Sequence, residues 1–300
     1  MAAREYAVSG RTKDSPVIWF PREVEEAWEQ KRTRGENASF IAGGTVIQMQ
    51  REQGVPCPSH LISLENINEM NGIVRMDSYL RIGALNSLED VRKSHEVQQY
   101  FPCLAEAVRN IAAPAVRNRG TIGGNLMYGK GDTVPALLVL DASVSYFYAG
   151  SPHTLPVLDF LENKVDGLVT AFWIPYPINE NRRSFSFYNK VGRRESFSLS
   201  VVNAAGRMEL GEDGRVQKAA LAAGGGNIPA QCLEEVENRL CGSHLSLETL
   251  QELYSLMLDT FTPPSDDFFS AAYKQKTAAN LILSQLYSNA ERNGGKEKDG

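Results

Sequence analysis

Residues 117–125 read Arg-Asn-Arg-Gly-Thr-Ile-Gly-Gly-Asn and contain the second of two glycine pairs in the chain. The first pair lies eighty residues earlier, in the segment Phe40-Ile41-Ala42-Gly43-Gly44-Thr45. Because glycine has no Cβ, neighbouring glycines can adopt positive φ and turn several backbone N–H groups toward one anion. The two loops therefore predict two sites that handle phosphate, and a pyrophosphate suits such a cradle.

The common single-loop nucleotide signatures are absent from both segments. Neither loop contains GxxxxGK(S/T), and neither contains GxGxxG. These absences exclude a P-loop and a Rossmann dinucleotide site at the two glycine pairs.

The bulk composition is that of an ordinary soluble globular protein, with 42% hydrophobic and 22% charged residues. A length of 300 residues predicts two domains, because one domain typically has about 100 to 200 residues. A net charge of −5 supplies no positive field for nucleic acid, so polyanions are not expected as partners. There is no apolar run of signal-peptide or membrane-spanning length, which predicts a cytoplasmic protein.

The cysteines and histidines do not form a metal or catalytic pattern. No CxxC occurs, and the cysteines are predicted to be small buried hydrophobes rather than ligands. We therefore expect no catalytic residue, metal or iron–sulfur cluster held by this chain alone. The residues concerned are Cys57, Cys103, Cys232, Cys241, His60, His95, His153 and His244.

In the first half, Ser87 and Asp90 resemble a capping box that opens a helix running to about Gln98. Pro114 is expected to end a second helix that starts at Pro102. Apolar spacing predicts the remaining elements: strands at 17–20, 142–148 and 167–174, helices at 23–34 and 45–51, and a hairpin in 72–84 that turns at Asp77-Ser78. The stretch from Val17 to near Leu64, about fifty residues long, looks like a small βαβ unit.

Pro175 to Arg183 is rich in proline, asparagine and charge, and is the candidate domain boundary. Beyond it the sequence predicts strands at 184–190, 199–210 and 216–223, a hairpin turn at Asp213-Gly214, and helices at 246–261 and 268–289. Strands followed by helices, without regular alternation, indicate an α+β fold.

Four features occur in a fixed order along the chain. They are Ala42-Gly43-Gly44-Thr45, the 117–125 loop, Asp132 followed by Pro135-Ala136-Leu137-Leu138, and Tyr188-Asn189-Lys190 followed by Arg193-Arg194-Glu195. This combination resembles the FAD-binding subunit of the molybdenum hydroxylases, the family of xanthine dehydrogenase and carbon monoxide dehydrogenase. The run Ser270-Ala271-Ala272-Tyr273-Lys274 is similar to the signature of the family's closing domain. The resemblance covers roughly residues 15 to 290.

The resemblance implies a two-part FAD-binding domain of the PCMH/vanillyl-alcohol-oxidase type at 15–177, with subdomains at about 15–72 and 73–177. A smaller α+β domain of the CO dehydrogenase flavoprotein type, with a three-stranded sheet and helices, is expected at 182–290. A polar leader at 1–14 and a disordered tail at 291–300 complete this expected organisation.

The resemblance also implies where FAD binds. The first loop is expected to wrap the pyrophosphate with Ser39, Phe40, Ile41, Ala42, Gly43, Gly44, Thr45 and Val46, although an ordinary strand-to-helix turn has the same residues. Donors of the second loop, Thr121, Gly123, Gly124 and Asn125, are expected to meet the flavin and its phosphates. Ile111 and Ala112 fall where the family packs against the isoalloxazine ring, and Val169 falls along the cofactor; all three also fit a plain core.

Two charged residues are implied at opposite ends of the cofactor. Asp132 matches a carboxylate that accepts hydrogen bonds from the adenosine ribose, but residues 126–131 before it are shortened and lack the family's Ser-Pro. Lys190 matches a lysine at the pyrimidine edge of the flavin, although a surface lysine on a strand is the alternative. Arg193, Arg194 and Glu195 are a candidate gate for NAD, or a solvated charge run.

The function implied is an oxidoreductase: the FAD-carrying subunit of a molybdenum-dependent xanthine dehydrogenase complex in purine catabolism. It would take electrons from 2Fe-2S clusters on a small partner subunit, which receives them from a molybdopterin large subunit, and pass them through FAD to NAD. One alternative is the FAD subunit of a carbon monoxide, nicotine or aromatic-substrate dehydrogenase with a quinone or other acceptor. A flavin-free scaffold subunit is the other.

Overall fold

The computed structural model describes residues 15–177, 183–194 and 199–294. The expected polar leader, Glu195 and part of the candidate boundary lie outside the described residues. The chain forms two compact units from discontinuous segments: a first unit of residues 1–91, 114–128 and 143–174, and a second unit of residues 92–113, 129–142 and 175–300. The linear domain ranges of the sequence analysis stay a prediction.

Strands and helices are numbered in chain order. The strands are β1 (Val17–Trp19), β2 (Ala38–Ile41), β3 (His60–Ser63), β4 (Ile73–Arg75), β5 (Tyr79–Gly83), β6 (Ser143–Tyr148), β7 (Ser151–Pro156), β8 (Leu168–Pro175), β9 (Arg183–Gly192), β10 (Ser200–Leu210), β11 (Val216–Gly225) and β12 (Ile228–Cys232). The helices are α1 (Val24–Arg34), α2 (Thr45–Glu52), α3 (Leu88–Lys93), α4 (His95–Tyr100), α5 (Pro102–Arg109), α6 (Pro114–Arg117), α7 (Ile122–Met127), α8 (Val134–Val139), α9 (Val157–Glu162), α10 (Glu234–Leu240), α11 (Leu247–Thr260) and α12 (Ala271–Gly294).

The first unit begins with a three-stranded parallel sheet in the order β1-β3-β2. Helix α1 connects β1 to β2 and buries Val24 and Ala27, and it ends at Gly35, whose φ of 59° no β-branched residue adopts readily. Helix α2 connects β2 to its parallel neighbour β3, a pairing that needs such a crossover, so the βαβ unit expected from the sequence is confirmed.

The second sheet of the first unit has five strands in the order β4-β5-β8-β6-β7. The expected hairpin around Asp77-Ser78 joins the antiparallel strands β4 and β5. Strand β7 was not predicted, because this edge strand is polar, largely exposed and contains Pro152. Proline is tolerated at a sheet edge because its missing N–H is not needed in the ladder there.

The helices between the sheets differ from expectation in two places. Ser87 Oγ accepts from the Asp90 amide at 3.0 Å, and the Ser87 amide donates to the Asp90 carboxylate, which confirms the capping box. The helix ends early, however, because Ser94 caps a new helix, α4. The expectation that Pro114 ends a helix is wrong: α5 has already ended at Arg109, and Pro114 starts α6, where its missing N–H costs nothing.

The second unit is built on one antiparallel sheet in the order β12-β11-β10-β9. The expected three strands are corrected to four, because a turn at Gly226-Asn227 returns the chain as β12. Helix α8 packs on this sheet with every residue buried, so the apolar run after Asp132 is a core helix. Helix α12 extends to Gly294, and the tail expected from 291 is therefore helical to that point.

The cysteines do not behave as one class. Cys103 is buried, Cys57 and Cys232 are half-buried, and Cys241 is exposed, so the expectation of four buried cysteines is wrong. Across the part of the chain that the structure describes, every helix is too short or too polar to cross a membrane.

Candidate functional site

The first loop joins β2 to α2 and uses its second glycine as the helix cap. Gly44 has a φ of 72°, which favours glycine, and no side chain caps the helix. The first N–H groups of an α-helix have no partner within the helix. The N-terminus of α2 therefore offers backbone donors, together with the positive end of the helix dipole, to an anion.

Gly43 has a different task from Gly44. A Cβ on residue 43 would collide with the backbone carbonyl of Arg119, so only glycine permits this approach. A Cβ on Gly120 would likewise stand 3.5 Å from Thr45 Oγ1. The structure thus brings the two glycine loops, eighty residues apart in sequence, into direct backbone contact within the first unit.

The second loop is not a cradle of free amides. Its backbone N–H groups donate within the protein: Ile122 to Asn86 O, Gly123 to Ala84 O, Gly124 to Thr121 Oγ1 and Asn125 to Thr121 O. Of the two glycine pairs, only Gly44 has positive φ. The prediction of two amide cradles is wrong for this loop, because its glycines belong to the start of helix α7.

Gly123 instead allows close packing, and Gly124 leaves space beside the helix. A Cβ on Gly123 would press on Ala84 at 2.8 Å, so this glycine lets α7 sit against the end of β5. A Cβ on Gly124 would meet only Thr121 Oγ1, at 3.0 Å, within a radius of 4 Å. Gly124 is exposed, so this face of the helix is open space that a side chain would occupy.

A buried ion pair anchors the start of the second loop. Arg117 Nε lies 3.2 Å from Glu89 Oε2, and both side chains are about nine-tenths buried. This pair ties the start of the loop to helix α3, which the Ser87–Asp90 capping box begins. The loop is thus held at both of its ends by α3 and by β5.

The second unit contains a buried polar cluster centred on Asp132. Lys190 Nζ donates to Asp132 Oδ2 at 2.7 Å, while Asn203 Nδ2 donates to Oδ1 at 2.9 Å and Ser200 Oγ donates to the same oxygen. Lys190 Nζ also donates to the carbonyl of Asn110 at 2.9 Å. We call Asp132, Lys190, Ser200, Asn203 and Tyr188 the Asp132 cluster.

Lys190 is therefore linked to the turn that contains Ile111 and Ala112. Ala112 has a φ of 39°, which is strained for a residue with a Cβ, and Ile111 is buried. A lysine that donates to the carbonyl just before this turn helps to hold its unusual backbone. The alternative of a solvated surface lysine is wrong, since only 8% of the Lys190 side chain is exposed.

The contact between Lys190 and Asp132 bears on the roles that the resemblance implied. The adenosine ribose and the flavin of FAD are separated by the pyrophosphate and the ribityl chain. The resemblance placed Asp132 and Lys190 at those two ends, whereas their side chains form one ion pair. The roles of both residues toward FAD stay a prediction.

Two buried atoms of the Asp132 cluster lack hydrogen-bond partners among the described residues. They are Asn203 Oδ1, in a residue with no exposed surface, and Tyr188 Oη, which lies near Ser200 and Asn203 without a well-formed hydrogen bond. Burial, and then the charge of Asp132, raise the pKa of Tyr188 well above its usual value, so the phenol stays neutral. Unpartnered buried polar atoms are costly, and a ligand that bonds to them removes that cost.

Sequence reasoning missed Ser200, Asn203 and Tyr188 as site residues. A signal was present: Ser200 and Asn203 are polar residues within β10, whose other residues before Arg207 are apolar or glycine. A buried polar residue in an apolar strand needs a partner, but its identity requires the fold.

The remaining expected site residues lie apart from these contacts. Ser39, Phe40 and Ile41 lie in β2 and lead into the first loop. Val169 is a buried residue of β8. In the expected NAD gate, Arg193 lies over the ring of Phe268 at 3.5 Å, so its guanidinium stacks on an aromatic ring.

Comparison with protein families decides which cofactor this arrangement serves. The family model of the FAD binding domain in molybdopterin dehydrogenase matches residues 11–177, more than half of the chain. The chain belongs to this family. The C-terminal domain of CO dehydrogenase flavoproteins matches residues 186–288, and FAD is the cofactor of such a flavoprotein.

Individual relatives cover nearly the whole chain. The medium subunit of nicotine 6-hydroxylase from Paenarthrobacter nicotinovorans is 27% identical, over 89% of this chain and 95% of its own. A putative xanthine dehydrogenase FAD-binding subunit from Escherichia coli K12 is 26% identical, over 86% and 91%. In solved structures, carbon monoxide dehydrogenase from Hydrogenophaga pseudoflava superimposes with a TM-score of 0.82 at 26% identity, covering 91% of this chain and 97% of the matched one. These matches confirm the expected two-part α+β fold.

Proposed function

We propose that this chain is the FAD-carrying electron-transfer subunit of a molybdenum hydroxylase complex, working beside an iron–sulfur small subunit and a molybdopterin large subunit. The relatives named as medium or FAD-binding subunits support the proposal, because the chain matches almost their full length. Bound FAD supplies a redox centre that accepts electrons from one partner and gives them to another. The chain's own residues then need only to bind, orient and electrostatically tune that centre.

Within the first unit, the first loop supplies the proposed contact with the pyrophosphate. Backbone amides at the start of α2, after Gly44, bind the pyrophosphate without a lysine or arginine. In the second loop, exposed Gly124 leaves open space that a side chain would occupy. Asn125, the next residue, has an amide side chain that can both donate and accept.

The single observation that best supports a flavin is the Asp132 cluster. The pyrimidine edge of a flavin presents one N–H between two carbonyls, so it requires acceptors beside donors. The cluster has both, in the Lys190 ammonium and the Asp132 carboxylate. We therefore assign Asp132, along with Lys190, to the flavin end instead of the adenosine ribose.

Titration with FAD tests the proposal. The purified chain should bind one FAD, measured by quenching of flavin fluorescence and by the yellow colour retained after gel filtration. A colourless chain after incubation with excess FAD would favour the scaffold alternative and end the flavoprotein proposal.

The organic substrate is a finer question, and we keep xanthine as the proposed substrate of the complex. Support comes from the Escherichia coli relative, although the nicotine 6-hydroxylase relative has nearly the same identity. Co-purification of the tagged chain with its native partners, followed by assays with xanthine, nicotine and carbon monoxide as reductants, separates these substrates. Oxidation of nicotine or carbon monoxide without xanthine would end the purine assignment.

NAD is the proposed electron acceptor, because Arg193 and Arg194 follow Lys190 on an exposed loop. The stacking of Arg193 on exposed Phe268 adds an aromatic surface on which a nicotinamide or adenine ring can pack. Anaerobic NADH should bleach the flavin of the FAD-loaded chain, and the variant Phe268→Ala should bleach more slowly. A bound flavin that NADH cannot reduce points to a quinone or another acceptor.

A further inference from the structure

Asp132 is held on both of its carboxylate oxygens. Ser200 and Asn203 occupy Oδ1, and Lys190 occupies Oδ2. Ser200 is 5% exposed and Asn203 is fully buried, so neither residue can reach a ligand except through its neighbours or at the unpartnered Asn203 Oδ1. The cluster therefore has an inner layer, Asp132 and Lys190, and an outer layer, Ser200 and Asn203, that orients the inner layer.

We propose that Ser200 and Asn203 are positioning residues that set the reduction potential of bound FAD by acting through Asp132 and Lys190. This inference rests on the proposed function, in which the flavin lies at Lys190. Ser200 and Asn203 are uncharged donors, so they disperse the negative charge of Asp132 without cancelling it. The Lys190 charge that Asp132 leaves uncompensated then stabilises the electron-rich reduced flavin.

The burial of the cluster makes this effect large enough to measure. Charges interact more strongly in a protein interior than in water, and a hydrogen bond to a charged group is stronger than one between neutral groups. When a donor is removed from Oδ1, the negative charge of Asp132 is less dispersed. Asp132 then compensates more of the positive charge of Lys190. Both changes disfavour the reduced flavin, so the reduction potential should fall.

The β-ladder places the outer layer in register with the inner one. Asn203 in β10 is the direct cross-strand partner of Lys190 in β9. Side chains of directly opposite residues lie on the same face of a sheet, with Cβ atoms about 4.5–5.5 Å apart. Asn203 and Lys190 can therefore approach one carboxylate together, which is what the two hydrogen bonds to Asp132 show.

A glycine turn fixes Ser200 and Asn203 from the other side. A Cβ on Gly225 would stand 2.9 Å from Ser200 Cβ and 3.0 Å from the Asn203 amide, and one on Gly226 would stand 2.8 Å from Ser200 O. The next residue, Asn227, accepts from the buried Lys274 at 2.7 Å. The two donors are thus set by packed backbone, which is what a positioning residue requires.

The test measures the reduction midpoint potential of FAD bound to the full chain, together with the dissociation constants of oxidised and reduced FAD. Ser200→Ala should weaken the binding of reduced FAD, relative to that of oxidised FAD, by about threefold to tenfold. For a two-electron couple this is a fall in the midpoint potential of about 15 to 30 mV. Asn203→Ala should shift the potential in the same direction. Ser184→Ala, on the exposed start of β9, is the matched control and should leave the potential unchanged.

A double-mutant cycle distinguishes positioning from general destabilisation. Asp132→Asn should raise the potential, and adding Ser200→Ala to it should produce no further fall, because the charge that Ser200 disperses is gone. Equal potentials in wild type, Ser200→Ala and Asn203→Ala, with FAD bound to all three, would overturn the inference. Failure of the wild-type chain to bind FAD would instead overturn the proposed function.

Discussion

The carbonyl oxygen of Arg119 lies where a Cβ atom on residue 43 would stand, so Gly43 and Arg119 are in direct backbone contact. Backbone cannot move aside as a flexible side chain can. Gly43→Ala should therefore force the two glycine loops apart and lower the free energy of unfolding by about 1–3 kcal/mol, as overpacking of a tight contact does. Urea denaturation of the purified chain measures this loss, and an unchanged midpoint would contradict the contact.

Gly124→Ala, unlike Gly43→Ala, should keep the stability of the protein and lower its affinity for FAD. Gly124 lies in helix α7 without positive φ, and its Cβ would meet only Thr121 Oγ1. Alanine is a better helix former than glycine by about 1 kcal/mol, so stability should hold or rise. FAD affinity should fall, because the new methyl group occupies the open space beside α7 in which FAD is proposed to bind. The same fluorescence titration with Gly124→Ala and wild type checks this, and equal affinity would show that FAD does not use this space.

Lys274 is a third testable position, because its ammonium is fully buried. It donates to Asn227 Oδ1 and to the carbonyl of Pro264, each at 2.7 Å, and it pairs with Asp266. Lys274→Met leaves these acceptors without their donor and should cost about 3 kcal/mol of unfolding free energy. Lys276→Met, exposed on the same helix, is the control and should change stability little. Similar losses in both variants would refute the specific role of Lys274.

The same contact predicts a response to acid. The hydrogen bond from Lys274, helped by the amides of Phe268 and Phe269, lowers the pKa of Asp266 from 3.8 to about 2. A carboxyl whose folded pKa is depressed stabilises the protein above its unfolded pKa, and that stability is lost as pH falls through the folded value. The free energy of unfolding should therefore change less between pH 5 and pH 2 for Asp266→Asn than for wild type. An identical pH dependence would contradict this prediction.

The cysteines should react in an order set by burial. Burial raises the pKa of the Cys103 thiol to about 11, so little reactive thiolate forms near neutral pH, while Cys241 is exposed. Iodoacetamide should label Cys241 in the native protein and Cys103 only after unfolding, as peptide mass spectrometry would show. Because the folded pKa is raised, the contribution of Cys103 should also make the protein less stable as pH rises from about 9 toward 11. Early labelling of Cys103 would show that the site opens in the native state.

Local patterns predicted the local parts of this fold. The Ser87–Asp90 capping box and the turn at Asp77-Ser78 depend on residues close in sequence, and both were predicted. Asp132, Lys190 and Asn203 are up to 71 residues apart, and they meet only because β9 pairs with β10 and because α8, which follows Asp132, packs on that sheet. The roles of the glycines could not be told apart from the sequence either. A close approach of two backbone segments and a positive φ both require glycine.

The family resemblance supplied the residues of the candidate site, and the roles that it implied for them stay a prediction. It gave Asp132 and Lys190 as separate contacts because a motif carries order and not distance. Their ion pair, at 2.7 Å, is a fact of three-dimensional structure. Ser200 and Asn203 had no motif to mark them, although two polar residues in the apolar strand β10 were a physical reason to look there.

The discontinuous make-up of the second unit has a consequence for biosynthesis. Helix α8 buries all of its side chains against a sheet whose strands β9 to β12 are encoded downstream. During translation this apolar helix leaves the ribosome before its partner strands exist, and it must wait unpacked until they emerge. A chain released after residue 177 would keep that helix and lack the sheet, so the N-terminal part should not be obtained as a soluble fragment by cutting at the linear boundary.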